Sequence, residues 1–446
     1  MADLVQDQIE TPEAARDLAG RIAGACGKAA ALAAHDRARI LAAIAAGIES
    51  DAAGFSRDIA MEVKKPLKEA RREVGRAVFT FRWAAEEARR FGGEILPIDF
   101  DQATEGRLAL TRRFPRGPAL FITPFNFPLN LVAHKVAPAI AVGMPFVLKP
   151  APQAPRTAAR LASVIRGAGW PAEAMAVVSA PVAAAEALVR DEHFGVLSFT
   201  GSAKVGWYLK SIAGKKHVVL ELGGNAGVFV ASDADIAWAA ARSAWGAYYY
   251  SGQVCISVQR ILVEAPVYKE FLGLFLKNLA ELKVGDPMDE NTDIGPLIDE
   301  AAAVRVEAWI QDAVAGGGRL LAGGPRKGDF LPPALVENAP ASCKLSCEEA
   351  FGPVATIEKV ASRSEAYEKL SLGSYGLQAG IFTNDLGGVF RAWGKIPVGG
   401  MIINDIPSFR SDAMPYGGVR DSGTGREGVR YAMEEFTEVR SLVLKP

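Results

Sequence analysis

Over residues 11–92, apolar positions recur at spacings of three and four, as in Ile40, Ile44 and Ile48, within stretches rich in Ala, Arg and Glu. That period puts the apolar side chains on one helix face and predicts a helical N-terminal segment. The Ala-rich runs keep the period, so they read as packed helices, and no internal repeat or low-complexity block interrupts them. From about residue 105 the pattern changes, and EGRLALTRRFPRG reads as a strand or hairpin arm. Short apolar runs then alternate with helical stretches. Strands are expected at Ala119–Ile122, Phe146–Lys149, Ala176–Ser179, Val196–Thr200 and Val218–Leu222, with helices near 128–142, 154–168, 182–190 and 202–213. Strand and helix alternating at this spacing predict a parallel sheet covered on both faces. A second series follows Gly224, with strands near 227–230, 260–264, 354–358, 378–383 and 400–404. The pattern therefore predicts two α/β domains. The tail FTEVRSLVLKP is strand-like and has no evident partner in either of them. A lone strand is an open edge, so a neighbouring subunit is expected to pair with it.

Length and charge narrow the class. A chain of 446 residues, half of them hydrophobic, suits two or three domains. Charged residues make up 23% and nearly cancel, at a net −1, which points to neither a nucleic-acid nor an anionic-membrane partner. The opening MADLVQDQIE lacks the features of a signal peptide, and no uncharged apolar run approaches the ~18 residues a membrane span needs. Four cysteines (Cys26, Cys255, Cys343, Cys347) are too few for a disulfide scaffold, and the four histidines have no metal-ligand spacing. A cytoplasmic protein with reduced thiols and no catalytic metal is expected.

Several residues could carry chemistry, and each taken singly also has a plain structural reading. Cys255, in SGQVCIS, follows a small, Gly-containing approach that leaves backbone amides free near the sulfur; it could equally be an inert buried thiol. Glu221 closes the apolar run VVLE before a Gly pair. Burial there would raise its pKa and suit a general base, whereas a solvent-facing strand end would not, and Gly223–Gly224 could be a simple turn. Asn126, in TPFNFP, is bracketed by rigid neighbours that could hold an amide donor for an oxyanion, or could bond its own turn. FTGSAKVG follows a strand directly. Gly201 permits close approach and Ser202 suits an N-cap, so the next helix offers a pyrophosphate site, although this is not a GxGxxG fingerprint. Lys149 ends a parallel strand, where such sheets bind ligands, or simply closes it at the surface.

The combination is far more specific than its parts. TPFNFP, VLKP, FTGSxxxG, LELGGN, GQxC and EEAFGPV occur in this order, and together they resemble the aldehyde dehydrogenase superfamily over essentially the whole chain from about residue 12. The resemblance implies a Rossmann-like cofactor domain (1–104 and 117–223), a second α/β catalytic domain (224–430) carrying the Cys, and a small β oligomerisation arm (105–116 and 431–446). It implies that Cys255 is the nucleophile, Glu221 the base for the deacylating water and Asn126 the side-chain half of the oxyanion hole, with the Cys255 N–H as the other half. Thr123, Pro124, Lys149, Gly201, Ser202 and Gly206 match cofactor positions, with Lys149 at the adenosine ribose. Glu349 and Phe351 match the pair that position the nicotinamide ribose and ring. The implied reaction is NAD(P)-dependent oxidation of an aldehyde to an acid through a Cys255 thioester.

Two positions depart from common family patterns. Pro152 stands where a carboxylate often follows the lysine, so NADP is expected to be accepted alongside NAD. Val254 precedes the cysteine where some subfamilies that handle phosphorylated or phosphonate aldehydes have Arg. The segment INDIPSFRSDAMPYGGVRDSGTGREG resembles the branch of lactaldehyde, phosphonoacetaldehyde and non-phosphorylating glyceraldehyde-3-phosphate dehydrogenases. A short, polar or anionic aldehyde is therefore expected, with Arg113, His134 and Arg410 as candidate anion contacts. A homodimer or homotetramer is expected. Two other readings are a CoA-acylating relative, which a water-activating Glu221 opposes, and a catalytically silent binding member, which intact Cys255, Asn126 and Glu221 oppose.

Overall fold

A computed structural model describes residues 7–445. Five helices between Pro12 and Arg90 form the N-terminal layer, as the apolar period requires. The first, Pro12–Gly24, starts where Thr11 accepts the Ala14 N–H. The longest, Leu67–Arg90, packs its apolar face against Ala34–Ser50 and against Asn130–Val142. Every residue of Asn130–Val142 is buried, including the polar Asn130, His134 and Lys135.

The first sheet has seven strands in the order Asp7–Gln8, Met175–Ser179, Phe146–Lys149, Ala119–Ile122, Val196–Thr200, His217–Glu221 and Gly423–Thr424. All are parallel except the last, which returns antiparallel beside Glu221. Register aligns the carboxyl ends: Ile122 lies beside Lys149 and Phe199, and Thr200 beside Glu221. These ends form the crevice where open α/β sheets bind ligands.

The second sheet runs Arg319–Ala322, Ala334–Glu337, Val354–Val360, Arg260–Glu264, Gly227–Val230, Gln378–Phe382 and Gly400–Ile403. Only Arg319–Ala322 is antiparallel. The fold is therefore α/β, with a Rossmann-like sheet and a second α/β unit. Arg319–Ala322 and Ala334–Glu337 were not expected, because their short apolar runs lie among Gly and Pro.

A third, three-stranded sheet corrects the reading of the tail. Thr437–Leu444 has an intrachain partner: it pairs antiparallel with Leu108–Pro115 along all eight residues, and Ile95–Leu96 adds to the other side. The pairing joins segments more than three hundred residues apart, so local pattern could not reveal it. The outer edge of Thr437–Leu444 stays open among the described residues, with Val439, Leu442 and Val443 exposed. No helix among the described residues is long and apolar enough to cross a membrane.

Candidate active site

The cysteine loop is built from unusual backbone. After the helix Ile236–Tyr248, Tyr250 and Ser251 take left-handed φ values of 49° and 57°. Non-glycine residues pay for that conformation, so it persists only where neighbours hold it. Here the Tyr250 hydroxyl donates to the Val63 carbonyl (3.1 Å) and the Ser251 hydroxyl to that of Gly295 (2.6 Å). Gly252 (φ 68°) lies against the Gly352 carbonyl, where no side chain fits. The loop then turns back to present Cys255, half-buried, with Sγ 3.2 Å from the Tyr416 hydroxyl. Burial pushes the thiol up to about 12, the Tyr416 hydrogen bond opposes this, and the negative charge of Glu349 adds to it.

Asn126 meets this loop from the first sheet. Its Nδ2 donates to the Gln253 carbonyl at 2.9 Å, while the buried Oδ1 has no partner among the described residues. The amide has two N–H groups, so one stays outside this bond. Gln253 also accepts the Ile298 N–H through Oε1 (2.9 Å), which fixes the loop from the far side.

Glu221 ends its strand buried, and neither carboxyl oxygen has a hydrogen-bond partner among the described residues. Burial first, then the charge of Glu427, hold its pKa well above the ordinary range against Arg410 and Lys135. The glycines after it are not a plain turn: residues 222–226 link the two strands with no turn among them. A Cβ on Gly223 would collide with the Glu349 carboxylate, and one on Gly224 would lie 2.5 Å from the Cys255 carbonyl oxygen. They let the two sheets' loops approach each other.

Glu349 accepts the Gly224 N–H at 3.1 Å, and burial raises its pKa to about 7. The segment carrying it is pinned by Gln259, which donates to the Leu345 and Glu348 carbonyls and accepts the Ala350 N–H. Phe351, at φ 47°, sets its ring edge-on to Phe125, 5.9 Å between centroids. A cavity of about 400 Å³ brings together Pro124, Asn126, Gly201, Ser202, Glu221, Cys255, Glu349 and Phe351. Arg305 joins them from the helix Glu300–Ala315, donating to the Ala350 carbonyl (2.9 Å).

The remaining candidates divide. Thr123 precedes the cavity-lining Pro124; its buried hydroxyl, and that of Thr200 in the cavity wall, have no partner among the described residues. Gly201 and Gly206 pack against the Phe199 ring, Gly206 also against Leu222, so the helix Ala203–Ile212 sits close to the sheet. Ser202 precedes that helix, but its hydroxyl makes no capping bond, contrary to expectation; its side chain is left for the cavity. Lys149 is half-buried, its pKa lowered by burial, and its Nζ has no ion-pair or hydrogen-bond partner among the described residues. Pro152 is exposed three residues on. Arg113 is not brought to the cavity: it lies in the arm, reaching the Glu434 carbonyl and the Thr437 hydroxyl and stacking over Phe91. Val254 is buried in the core.

His134 and Arg410 belong to a buried ionic cluster that the sequence reading largely missed. Asp412 accepts from His134 Nε2 (2.8 Å) and, bidentately, from Arg76 (2.6 and 3.0 Å). Burial, then Arg410, lowers the His134 pKa, against the Asp412 hydrogen bond. Arg410 donates to Glu427 (3.1 Å) and lies 3.7 Å over the Tyr416 ring. Lys135 donates to Glu427 (3.0 Å) and to Ser198 Oγ (2.8 Å). Burial alone would raise Glu427; Lys135 and then Arg410 hold it low instead. The available signal was Asn130, His134 and Lys135, three polar residues in an otherwise apolar helix, which must find partners when buried.

Comparisons agree with this architecture. The profile described as "Aldehyde dehydrogenase family" matches residues 7–442. A 3-sulfolactaldehyde dehydrogenase of Priestia aryabhattai is 43% identical over 87% of this chain and 82% of its own. A lactaldehyde dehydrogenase of Methanococcus vannielii is 39% identical, covering 92% of this chain and 87% of its own. Among solved structures, aldehyde dehydrogenase 21 of Physcomitrella patens, in complex with the reaction product succinate, superposes with a TM-score of 0.95 at 42% identity, covering 97% and 91% of the two chains. The glyceraldehyde-3-phosphate dehydrogenase GapN of Methanocaldococcus jannaschii, complexed with NADP, gives 0.94 at 37% identity, covering 98% and 95%.

Proposed function

The chain belongs to the aldehyde dehydrogenase family and oxidises an aldehyde to a carboxylic acid with NAD or NADP; within that activity, we propose that Cys255 is the nucleophile, Asn126 the oxyanion donor and Glu221 the hydrolytic base. The observation that carries the assignment is their convergence on one cavity, lined by a thiol, an amide with one N–H outside its loop bond and a carboxyl of raised pKa.

The cofactor fits the residues present. Among the described residues the buried hydroxyls of Thr123 and Thr200 and the Lys149 amine lack partners, and Glu349 can accept from a ribose. Lys149, Ser202, Glu349 and Phe351 would hold it. When bound, the nicotinamide supplies the hydride acceptor. The chain's own residues do the rest. Cys255 sulfur adds to the aldehyde carbon, and Asn126 with the Cys255 N–H holds the oxyanion. After oxidation the acyl group remains on Cys255 as a thioester. Glu221, once ionised, takes a proton from water, and the hydroxide displaces the thiolate. A base so placed spends the thioester on water, which favours hydrolysis over transfer to CoA.

The substrate is a short, anionic or polar aldehyde. Two cations bear on the Cys255 end of the cavity: Arg305 lines it, and Arg410 acts on the sulfur, while Glu221 is held toward its neutral form. A cation in a buried pocket favours a negative group on the substrate. His134 and Arg410 are the substrate-side candidates, and the names of the relatives, sulfolactaldehyde and lactaldehyde dehydrogenases, suit this class.

A homo-oligomer suits the open edges of Thr437–Leu444 and of Gly400–Ile403, which ends the second sheet, and the exposed Phe390 and Trp393. Four free cysteines suit the cytoplasm. The test is NAD(P)H formation from short hydroxy-, phosphono-, sulfo- and plain aldehydes, with and without CoA. Turnover dependent on CoA would overturn the hydrolytic reading.

A further inference from the structure

Tyr416 is held by both its backbone and its ring. Its backbone N–H donates to the Glu427 carbonyl (3.0 Å), and its carbonyl accepts the Glu427 N–H (2.7 Å). Its ring is buried and covered by the Arg410 guanidinium at 3.7 Å, and Arg410 is itself held by the Glu427 carboxylate. The next residue, Gly417, lies so close to Glu221 that a Cβ would stand 2.7 Å from Oε1. One short backbone stretch is thus braced against both Glu221 and the sulfur, and Tyr416 points its hydroxyl at Cys255 Sγ across 3.2 Å.

We propose that Tyr416 is a catalytic residue of this enzyme, whose hydroxyl donates a hydrogen bond to the Cys255 thiolate and so sets how much of the nucleophile is available. The proposal rests on Cys255 being the nucleophile. In the resting pair, thiol and phenol are both neutral and either can donate. When Cys255 loses its proton to water, S⁻ can only accept. The phenol keeps its proton, because burial pushes its own acidity well beyond reach, the charge of Cys255 adds to that, and Arg410 only partly opposes it. Tyr416 can then only donate, so the bond favours the charged sulfur over the neutral thiol. Arg410 above the ring adds a positive charge on the side from which the bond comes. The other titratable groups that act on this sulfur are Glu349, Glu221 and Arg410, and Tyr249 in turn feels its charge. Among the described residues, Tyr416 is the group of this set that makes a hydrogen bond to Sγ.

Magnitudes decide whether such a bond helps. A hydrogen bond to a charged group is worth about one pKa unit or more. Lowering a thiol's pKa by one unit raises the thiolate fraction about tenfold at pH values below the pKa. It weakens each thiolate about threefold, because nucleophilicity follows basicity with a slope near 0.4–0.5. The net gain is about threefold, so the bond accelerates attack as long as the thiol's pKa stays above the working pH.

The experiment is Tyr416→Phe, which removes one oxygen and keeps the ring under Arg410. Iodoacetamide alkylation of Cys255 is followed by mass spectrometry of its peptide from pH 6 to 10, since the thiolate displaces iodide and forms a stable C–S bond. The variant is expected to lose about threefold in alkylation rate on the rising part of the profile, the net of about tenfold less thiolate and about threefold higher reactivity of each thiolate, with an unchanged unfolding midpoint. A profile that superposes on wild type overturns the proposal, as does a variant that reacts faster. Turnover by Cys255→Ala would instead sink the nucleophile assignment, which the alkylation profile does not depend on.

Discussion

Asn126 Nδ2 lies 2.9 Å from the carbonyl oxygen of Gln253, so a side chain from the first sheet is tied to the loop that presents Cys255. One contact therefore sets the spacing between the thiol and the amide that faces it. Asn126→Ala should lower kcat by about 10²–10³-fold, the usual cost of losing one oxyanion donor, with little change in cofactor affinity. Steady-state kinetics with the best aldehyde checks this. Turnover within threefold of wild type would remove Asn126 from the role.

Cys255→Ala should abolish turnover while cofactor binding survives. Glu221→Gln should instead release a burst of reduced cofactor and then stall, because oxidation precedes attack by water. Intact-mass spectrometry should find the acyl group retained on the protein. A steady rate near wild type with no trapped adduct would exclude Glu221 as the base.

The state of Glu221 also predicts a pH dependence. Burial and Glu427 raise its folded pKa well above the unfolded value. A raised folded pKa gives stability that is fully present below the unfolded pKa, near 4.3, and lost as pH rises through the folded one. Ionising the base for catalysis thus costs stability, and deacylation should quicken as pH rises through the same range. Gln cannot ionise, so Glu221→Gln should gain in unfolding midpoint relative to wild type between pH 5 and pH 9. The gain should be on the order of 1–3 °C by calorimetry. A difference that stays flat across that range would mean the carboxyl is not buried as described.

The sequence was most legible where the physics is local. Strands such as Ala119–Ile122 and Val196–Thr200 announce themselves by apolar runs bounded by Gly and Pro, and the motifs on their carboxyl ends travel with them. What stayed hidden depends on long-range packing. The pairing of Thr437 with Pro115 and the Gly224 approach to Cys255 join distant segments. Lys135 and Glu427, 292 positions apart, reveal their ion pair only once both are buried. Arg113 was misleading for the opposite reason: its charge suggested an anion, but its strand carries it into the arm.

The arm gives a prediction about assembly. Removing residues 436–446 strips the partner from Leu108–Pro115 and deletes the open edge carrying Val439, Leu442 and Val443. Light scattering should report a smaller species than the full chain forms. An unchanged molar mass would show that this edge holds no neighbouring subunit.

Cofactor choice turns on the ground beyond Lys149. A carboxylate near the adenosine ribose accepts from the 2′-hydroxyl and repels a 2′-phosphate, so it selects NAD. Pro152 has neither the oxygens nor the charge, and it is exposed three residues past Lys149, whose Nζ is unpaired among the described residues. Burial lowers the Lys149 pKa, and an approaching phosphate would oppose that shift by favouring the charged amine. NADP should therefore be used alongside NAD. In Pro152→Glu, kcat/KM for NADP should fall relative to NAD by roughly tenfold or more, since rejection by like charge exceeds about 1.4 kcal/mol. The new carboxylate would also neutralise Lys149, which works in the same direction. Both cofactors should be measured at low ionic strength, where the charge term is least screened. An unchanged ratio, or a wild type that refuses NADP, would place control of cofactor choice at another residue.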